Sequence, residues 1–393
     1  MNRDVFILSF ARTPIGAFQG SLNSVTAPYL GAAAIKGALG KSSVDASQID
    51  EVIMGNVLSA GTGQAPARQA SIYAGLPDSV ECITINKMCG SGLKAVMLGA
   101  QAIASGDAEI IIAGGMESMS NTPYYLPGSR GGLRLGHGKV LDGIIQDGLW
   151  DVYNDKHMGN CAELCARKFN FSRIEQDSFA AESYARSLNS IVSGFFKDEI
   201  IPIEVPQRRG NPVLIDTDEE PGKGRPDKFP KLKPAFEKDG TVTAANASSI
   251  NDGAAALLII SGDKVKELGL NPDFKILGFQ SAAQEPEWFT TAPVNAMKKL
   301  SAKTGITFND IDLFEINEAF SAVTMAAMTE LNLHHDKVNV HGGAVSLGHP
   351  IGASGARILC TLLSAMNQMD SHRGMASICI GGGEASALLV ERV

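Results

Sequence analysis

No stretch of this 393-residue chain approaches the roughly 20 consecutive apolar residues that a membrane-spanning helix needs, which sets aside an integral helical membrane protein. Basic charge is in short supply as well. Lys and Arg number 34 against 42 Asp and Glu, a formal charge of −8. Nucleic-acid binders usually carry a net basic face, so that class is set aside too, although a local basic patch for a phosphorylated ligand is not. Cysteine is sparse: Cys82, Cys89, Cys161, Cys165, Cys360 and Cys379 are too few for a disulfide scaffold in a chain of this length. The question they raise is which is reactive and which is packing. Targeting signals are lacking. Val5–Phe10 is apolar but too short for a signal core, and Glu391-Arg392-Val393 is neither a peroxisomal nor an endoplasmic-reticulum address. A cytoplasmic protein is expected.

What is present points to a folded enzyme-sized chain. Hydrophobic residues make up 44% and charged residues 19%, ordinary values for a globular protein, and the length suggests two or three domain-sized units. Glycine is abundant, 42 residues without a collagen period, which suggests tight turns and close backbone approaches of the kind found at ligand sites. Apolar runs of strand length recur at Val5–Phe10, Glu51–Val57, Glu109–Ala113, Ala255–Ser261, Met375–Ile380 and Ala385–Glu391. Ala- and Leu-rich helical stretches lie between them at Ala27–Leu39, Gly90–Ser105, Pro293–Thr304, Glu318–Leu331 and Gly352–Met369. Such alternation predicts an α/β fold with mixed or parallel sheets buried on both faces.

The chain also repeats itself. Ile49-Asp50-Glu51-Val52 answers Ile311-Asp312-Leu313-Phe314, and Gly90-Ser91-Gly92 answers Ala353-Ser354-Gly355. A third match pairs Ala113–Ser118 with Gly382–Ser386. Short Gly/Ala/Ser matches arise by chance, but three in the same order predict two similar α/β halves from a duplication. Residues 120–249 fit neither half. They hold proline and glycine clusters from Pro123 to Gly132, a helix opened by the capping-box pattern Ser172-Arg173-Ile174-Glu175, and a polar run from Arg208 to Lys238. The predicted organisation is an N-terminal half over 1–119 with 250–270, an inserted, largely loop-built domain over 120–249, and a C-terminal half over 271–393.

Three positions carry chemistry. Cys89 sits in Asn86-Lys87-Met88-Cys89-Gly90-Ser91-Gly92, just before a helical pattern. A helix N-terminus stabilises an anion, so a lowered thiol pKa and a good nucleophile are expected there. A lone cysteine at a turn is more often simple packing. His349 lies in Gly348-His349-Pro350, crowded by glycines on a rigid loop before a helix, where an imidazole can take a proton or donate to an oxyanion. An exposed loop histidine is the bland alternative. Cys379 ends a strand just before Gly381-Gly382-Gly383, and ligands of open α/β sheets bind beyond strand C-termini. A buried core cysteine is about as common. Cys161 and Cys165, four apart on one helix face, read as packing rather than zinc ligands, and no metal site is expected. His334, His335 and His372 read as surface residues, and the Gly381–Gly383 run lacks the Lys-Ser/Thr of a phosphate loop.

Together these residues resemble the thiolase family, and within it the acetyl-CoA acetyltransferase branch. The matching motifs are Arg12–Gly16, Asn86–Lys94 around Cys89, Gly114–Ser118, Asn246-Ala247-Ser248, Asn251–Ala255, Asn317-Glu318-Ala319-Phe320, Gly342–Arg357 around His349, and Cys379–Gly383. The resemblance implies a layered αβαβα core of two related halves, each with a five-stranded sheet, plus the loop domain. It implies that Cys89 forms an acyl-enzyme from acetyl-CoA and that Cys379 takes the α-proton of a second acetyl-CoA. The resulting Claisen condensation gives acetoacetyl-CoA and coenzyme A, reversible as thiolysis. His349, with a water held by Asn317, would stabilise one thioester oxygen, and the amides of Cys89 and Gly381 the other. Coenzyme A would be held by His157, Met158, Arg225, Phe236, Ser248, Ala319 and Phe320, with Lys223, Lys228, Lys231 and Lys233 near its phosphates; a solvated loop is the usual meaning of such a charge run.

No cofactor beyond the coenzyme A substrates is implied, because the thioester carbonyl is the electron sink. Glu285–Pro293 resembles a potassium-activated branch that accepts 2-methyl substrates. That branch has a tyrosine near Glu220-Pro221-Gly222, which this chain lacks. His341 stands where many relatives carry Asn or Gln. A homotetramer, a dimer of dimers, is expected. The alternatives are a broader-chain 3-ketoacyl-CoA thiolase of fatty-acid β-oxidation, a decarboxylating ketosynthase, disfavoured by Cys379, and a non-catalytic coenzyme A-binding relative, disfavoured because Cys89, His349 and Cys379 are all present.

Overall fold

The computed structural model describes residues 3–393, so the first two residues of the half read as 1–119 lie outside it. The N-terminal half holds strands β1 (Val5–Arg12), β2 (Glu51–Gly55), β3 (Glu81–Ile85), β4 (Ile110–Ser118) and β5 (Asn251–Ser261), in the order β3-β2-β4-β5-β1. Its helices are α1 (Ala27–Gly40), α2 (Pro66–Ala74) and α3 (Ser91–Ser105). Between β4 and β5 the chain leaves the sheet and carries helices α4 (Met158–Phe169) and α5 (Arg173–Ser193) among short hairpins and turns. Both helices answer sequence signals, the shared face of Cys161 and Cys165 and the capping box at Ser172. Ser172 and Glu175 do form the expected capping box, with the Ser172 amide donating to Glu175 at 2.7 Å. The C-terminal half holds β6 (Phe274–Ala283), β7 (Leu313–Ile316), β8 (Arg373–Ile380) and β9 (Glu384–Arg392), in the order β7-β8-β9-β6. Its helices are α6 (Ala292–Thr304), α7 (Ser321–Leu331) and α8 (Ile351–Gln368).

The two sheets have the same topology. In the N-terminal half β3, β2 and β4 run parallel to one another, as β7 and β8 do in the C-terminal half, and the remaining pairs in each are antiparallel. They join edge to edge where Phe6 and Ile7 of β1 meet Lys275 and Phe274 of β6. The C-terminal sheet departs from the expected five strands. Its fifth position is a single parallel bridge between Phe314 and Val338. Strand sides alternate as a period of two demands. In β2, Val52 and Met54 pack outward against α1 and α2, while Ile53 packs inward. In β7, Phe314 and Ile316 pack outward with α6 and α7, and Leu313 packs inward. Helices α3 and α8 fill the space between the sheets, so the layers run αβαβα. Burial on both faces explains why the strands read as continuous apolar runs.

Two devices repeat in both halves. The Asp50 carboxylate accepts the amides of Glu109 and Ile110 at 2.7 and 2.9 Å, and Asp312 accepts those of His372 and Arg373, both at 2.9 Å. The central helices meet at matched glycines. A Cβ on Gly92 would lie 2.7 Å from the Ala356 amide nitrogen, and one on Gly355 would lie 2.4 Å from that of Leu93. These anchors pair β4 with β8, so the third sequence match is corrected. Gly114–Ser118 lies inside β4, whereas Gly382 and Gly383 form the turn between β8 and β9. Glycine-rich strings look alike in sequence whether they serve a strand or a turn.

Candidate active site

Cys89 lies between β3 and α3, two residues before the helix begins. The Ser91 hydroxyl shapes this turn. It accepts the Lys87 amide at 2.8 Å and donates to the Met88 carbonyl at 2.6 Å, while Asn86 Oδ1 accepts the Met88 amide at 3.0 Å. Met88 is held at φ +46°, a left-handed conformation costing a residue of its kind about 1–2 kcal/mol. The amides of Gly381 and of Cys89 itself lie near enough to the Cys89 sulfur to favour its thiolate. The expectation of a lowered thiol pKa is not met. Burial pushes the thiol up to about 11, against the pull of those two amides, and the nearby Glu117 carboxylate adds to the rise. Desolvation outweighs the helix terminus because α3 starts only at Ser91, so Cys89 is a neutral thiol that needs a base.

His349 supplies an acceptor. Its loop is fixed by Asn251 at the start of β5. Asn251 Oδ1 accepts the His349 amide at 2.9 Å, and Nδ2 donates to the Gly16 carbonyl at 2.9 Å. Gly348 adopts φ +104°, and a Cβ there would lie 2.4 Å from the Asn251 side chain. Ser354 Oγ donates to the Pro350 carbonyl at 2.9 Å and lies 2.6 Å from His349 Nδ1. The arrangement that satisfies both puts the proton on Nδ1 and leaves the Nε2 lone pair free, an assignment made from the network. Burial, aided by the Arg357 charge, pushes His349 down to about 3, so the ring is neutral at pH 7. Asn317, directly after β7, places Nδ2 at 3.5 Å from Nε2, and its Oδ1 is buried without a partner.

Cys379, next to last in β8, is fully buried in a cluster with Met158, Cys161, Phe289 and Ala319. Burial first, then the neighbouring Cys89 and Cys165, hold its thiol well above the usual value. One cavity is lined by Cys89, His349 and Gly381 together with His157, Met158, Phe236, Ser248, Ala319 and Phe320. His157 caps α4: its Nδ1 accepts the Gly159 amide at 3.0 Å, and its ring stacks on Phe236 at 4.8 Å. Burial lowers its pKa. Phe236 meets Phe320 edge-on at 6.1 Å, and Ser248 Oγ donates to the Ala319 carbonyl at 2.9 Å. Arg225 is not brought into this cavity. It lies on an exposed loop with its guanidinium on the Gly222 and Gly224 carbonyls at 3.4 and 2.8 Å. Lys223, Lys228, Lys231 and Lys233 are exposed there as well.

Sequence reasoning missed other parts. Met119, Leu149, Ile250, Phe289 and Ile351 give the cavity its apolar wall, and none stands out in sequence. Glu117 accepts four donors: Asn56 Nδ2 at 2.6 Å and the amides of Val57, Leu58 and Gly352 at 3.0, 3.1 and 2.8 Å. It ties the chain after β2 to the start of α8, beside His349. Burial nonetheless holds its pKa up at about 7. The motif containing Glu117 and the one containing Asn251 were visible, but their roles were not. His341 is buried, with Nδ1 3.0 Å from Ser190 Oγ. His335 is half-buried on the ring of Phe179 rather than a free surface residue, whereas His334 and His372 are exposed. Cys161 and Cys165 are buried in packing. Among the described residues, no group of three or more His, Cys, Asp or Glu is placed to hold a metal ion.

A thiol, a neutral imidazole and the Gly381 turn thus line one cavity, with the second thiol buried next to the first. This arrangement suits acyl transfer through a thioester. Comparison with known proteins agrees. Residues 5–263 match the model of the thiolase N-terminal domain, and residues 270–392 match that of the thiolase C-terminal domain. An acetyl-CoA acetyltransferase of Pseudomonas aeruginosa is 53% identical over 391 residues, covering 99% of this chain and 100% of its own. The acetyl-CoA acetyltransferase of Schizosaccharomyces pombe is 50% identical over 394 residues, covering 100% of both. Among solved structures, a thiolase from Ascaris suum in complex with coenzyme A superposes with a TM-score of 0.95 at 46% identity over 100% of both chains. The acetyl-CoA acetyltransferase of Bacillus anthracis superposes with a TM-score of 0.97 at 40% identity, again over 100% of both.

Proposed function

The chain belongs to the thiolase family, and from that premise we infer that it is an acetyl-CoA C-acetyltransferase, joining two acetyl-CoA into acetoacetyl-CoA and coenzyme A. The observation that carries the mechanism is the pairing of a high-pKa thiol, Cys89, with a neutral His349 in one cavity. In this reading His349 Nε2 takes the Cys89 proton as sulfur attacks the thioester. The oxyanion rests on the amides of Cys89 and Gly381. Cys379 gives its proton to the departing coenzyme A thiolate. The Cys379 thiolate then takes the α-proton of the second acetyl-CoA. Its raised pKa makes that thiolate a strong base, matched to a weakly acidic C–H. The Nε2–H of the charged His349, with a water at Asn317, holds the enolate oxygen. The carbanion attacks the acetyl-enzyme, and Cys89 leaves and recovers its proton from His349, so protons balance. Each oxyanion donor of this kind lowers the barrier by about 3–4 kcal/mol.

The same reading has His157, Met158, Phe236, Ser248, Ala319 and Phe320 holding the coenzyme A arm, with Arg225 and its neighbouring lysines meeting the phosphates from outside. The thioester is the electron sink, so no further cofactor is required. Six free thiols fit a reducing compartment such as the cytoplasm, and the substrates fit fatty-acid metabolism. A dimer of dimers is supported by two separate apolar features. One is the open edge of β3, with Ile83 45% exposed beside exposed Ile72 and Tyr73. The other is the stretch 124–153, with exposed Tyr124, Leu126, Leu135, Val140 and Tyr153.

The test is thiolysis rate against 3-ketoacyl-CoA chain length, with and without a 2-methyl group. Activity concentrated on acetoacetyl-CoA and its 2-methyl form is expected. Equal or better rates on longer chains would mark a broad-chain thiolase, and binding of coenzyme A without turnover would mark a non-catalytic relative.

A further inference from the structure

The nucleophile and the amide that holds its charge come from opposite halves of the chain, and something must keep them in register. Cys89 belongs to the turn Asn86–Gly90, whereas Gly381 belongs to the β8–β9 turn, where Gly382 and Gly383 take φ +91° and +85°. Two contacts bridge these turns. The first is apolar: Gly90 lies against Ile380, so closely that a Cβ would sit 2.3 Å from its Cδ1. The second is ionic: Lys87 Nζ pairs with the Glu384 carboxylate across 297 positions of sequence.

These contacts close a ring. Glu384 stands opposite Ile380 in the β8–β9 ladder, Ile380 touches Gly90, and the Gly90 amide donates to the Lys87 carbonyl at 3.1 Å. The ring spans Cys89 and Gly381. Lys87 is two residues before the nucleophile and Glu384 three after the oxyanion amide, so each end of the pair steers one reacting group. Both side chains are about one-quarter to one-third exposed, at 26% and 36%, and pairs of that exposure contribute little to overall stability.

We propose that Lys87 and Glu384 are positioning residues, a clasp between the two halves that sets the Gly381 amide on the Cys89 sulfur. The inference rests on the acyl-enzyme reading of Cys89. No bond to substrate is involved; the pair acts through the spacing of the two turns.

The experiment compares the wild type with Lys87→Gln, Glu384→Gln, the double Lys87→Gln/Glu384→Gln and the exchanged Lys87→Glu/Glu384→Lys. Steady-state thiolysis of acetoacetyl-CoA is measured alongside the rate of Cys89 alkylation by iodoacetamide as a function of pH. A loosened rather than deleted oxyanion donor should lower kcat by roughly fivefold or more in either single variant, with KM for coenzyme A within about twofold. The double variant should be no worse than either single, and the exchange should recover most of the loss. The alkylation profile should move to higher pH in the single variants, because the thiolate loses its amide partner, and return in the exchanged form. Unchanged kcat and an unmoved alkylation profile in the singles would overturn the clasp, as would losses that add in the double. A wild type that turns over no acetoacetyl-CoA would sink the functional reading alone, since alkylation reports on the clasp without any coenzyme A.

Discussion

The two halves share a scaffold and divide the chemistry unequally. Asp50 matches Asp312, and Gly92 matches Gly355, so the rest of the register follows. Cys89 then faces Gly352 as its counterpart, Asn317 faces Gly55, and Cys379 faces Met116. These three groups each have a small or apolar residue in the other half, whereas His349 answers Asn86, which shapes the Cys89 turn. The space explains part of this. A Cβ on Gly55 would lie 2.6 Å from Ser91 Cβ and 2.8 Å from the Gly352 carbonyl, so that position cannot hold an Asn317-like side chain. The duplication supplied two strand ends and two helix starts. Only one helix start carries the nucleophile, and the proton-handling groups gather on the other side. A site built across the seam brings thiol, imidazole and amide together from sequence-distant turns, which neither half does alone.

The largest expected effect separates the two thiols. Cys89→Ala should lose turnover by roughly 10⁴-fold or more, with no covalent adduct. Cys379→Ala should lose turnover comparably yet still take an acetyl group from acetyl-CoA onto Cys89, visible by intact mass. A Cys379→Ala protein that condensed acetyl-CoA at the wild-type rate would end the division of labour. The next effect probes the shared scaffold. Gly92→Ala and Gly355→Ala should each destabilise by about 1–3 kcal/mol, similarly in the two halves, because each drives a Cβ into the partner helix. Urea denaturation of the singles and the double would show it, the double losing less than the sum because both open the same crossing. Tolerance at one site alone would mean that the crossing is not symmetric.

The smallest effect exploits one more asymmetry. Glu315 on β7 occupies the inward position that Ile53 holds on β2, and it lies 3.4 Å from Arg357 with its other oxygen unpartnered. Burial pushes Glu315 up to about 8 despite Arg357. Its folded pKa is above the unfolded value, so the folded state holds the extra proton between about pH 4.5 and 8. Stability therefore falls as pH rises through that window. Glu315→Gln removes this slope. Whatever its offset, its Tm relative to wild type should rise by a few degrees from pH 5 to pH 9, as thermal melts would record. A constant difference would show that Glu315 ionises freely in the folded protein.

How much of this was legible follows from where each signal resides. Strands buried on both faces wrote themselves as apolar runs, and five helices appeared within a few residues of their observed ends. The edge strand β3, with exposed Glu81 and Ile83, and β6, with half-exposed positions, carried no such run. Helix α4 showed in the spacing of Cys161 and Cys165, but its start was unmarked because its cap is a histidine, His157, rather than Ser, Thr, Asp or Asn. In the cavity, Cys89, His349 and Gly381 were marked by glycine-rich turns. The apolar wall was not, because Met119, Ile250 and Phe289 look like any core residue until folding turns them toward one space.

By itself the sequence determined the kinds of reacting groups, the duplicated α/β plan and the family, because these depend on local residue order and on backbone freedom at glycines. Only the tertiary structure decided their proton affinities and partners. A helix start promised Cys89 a low pKa, but burial raised it to about 11, and burial with Arg357 nearby lowered His349 to about 3. Desolvation is a property of everything packed around a group, and the residues that pack around Cys89 come from strands, helices and turns up to hundreds of positions away.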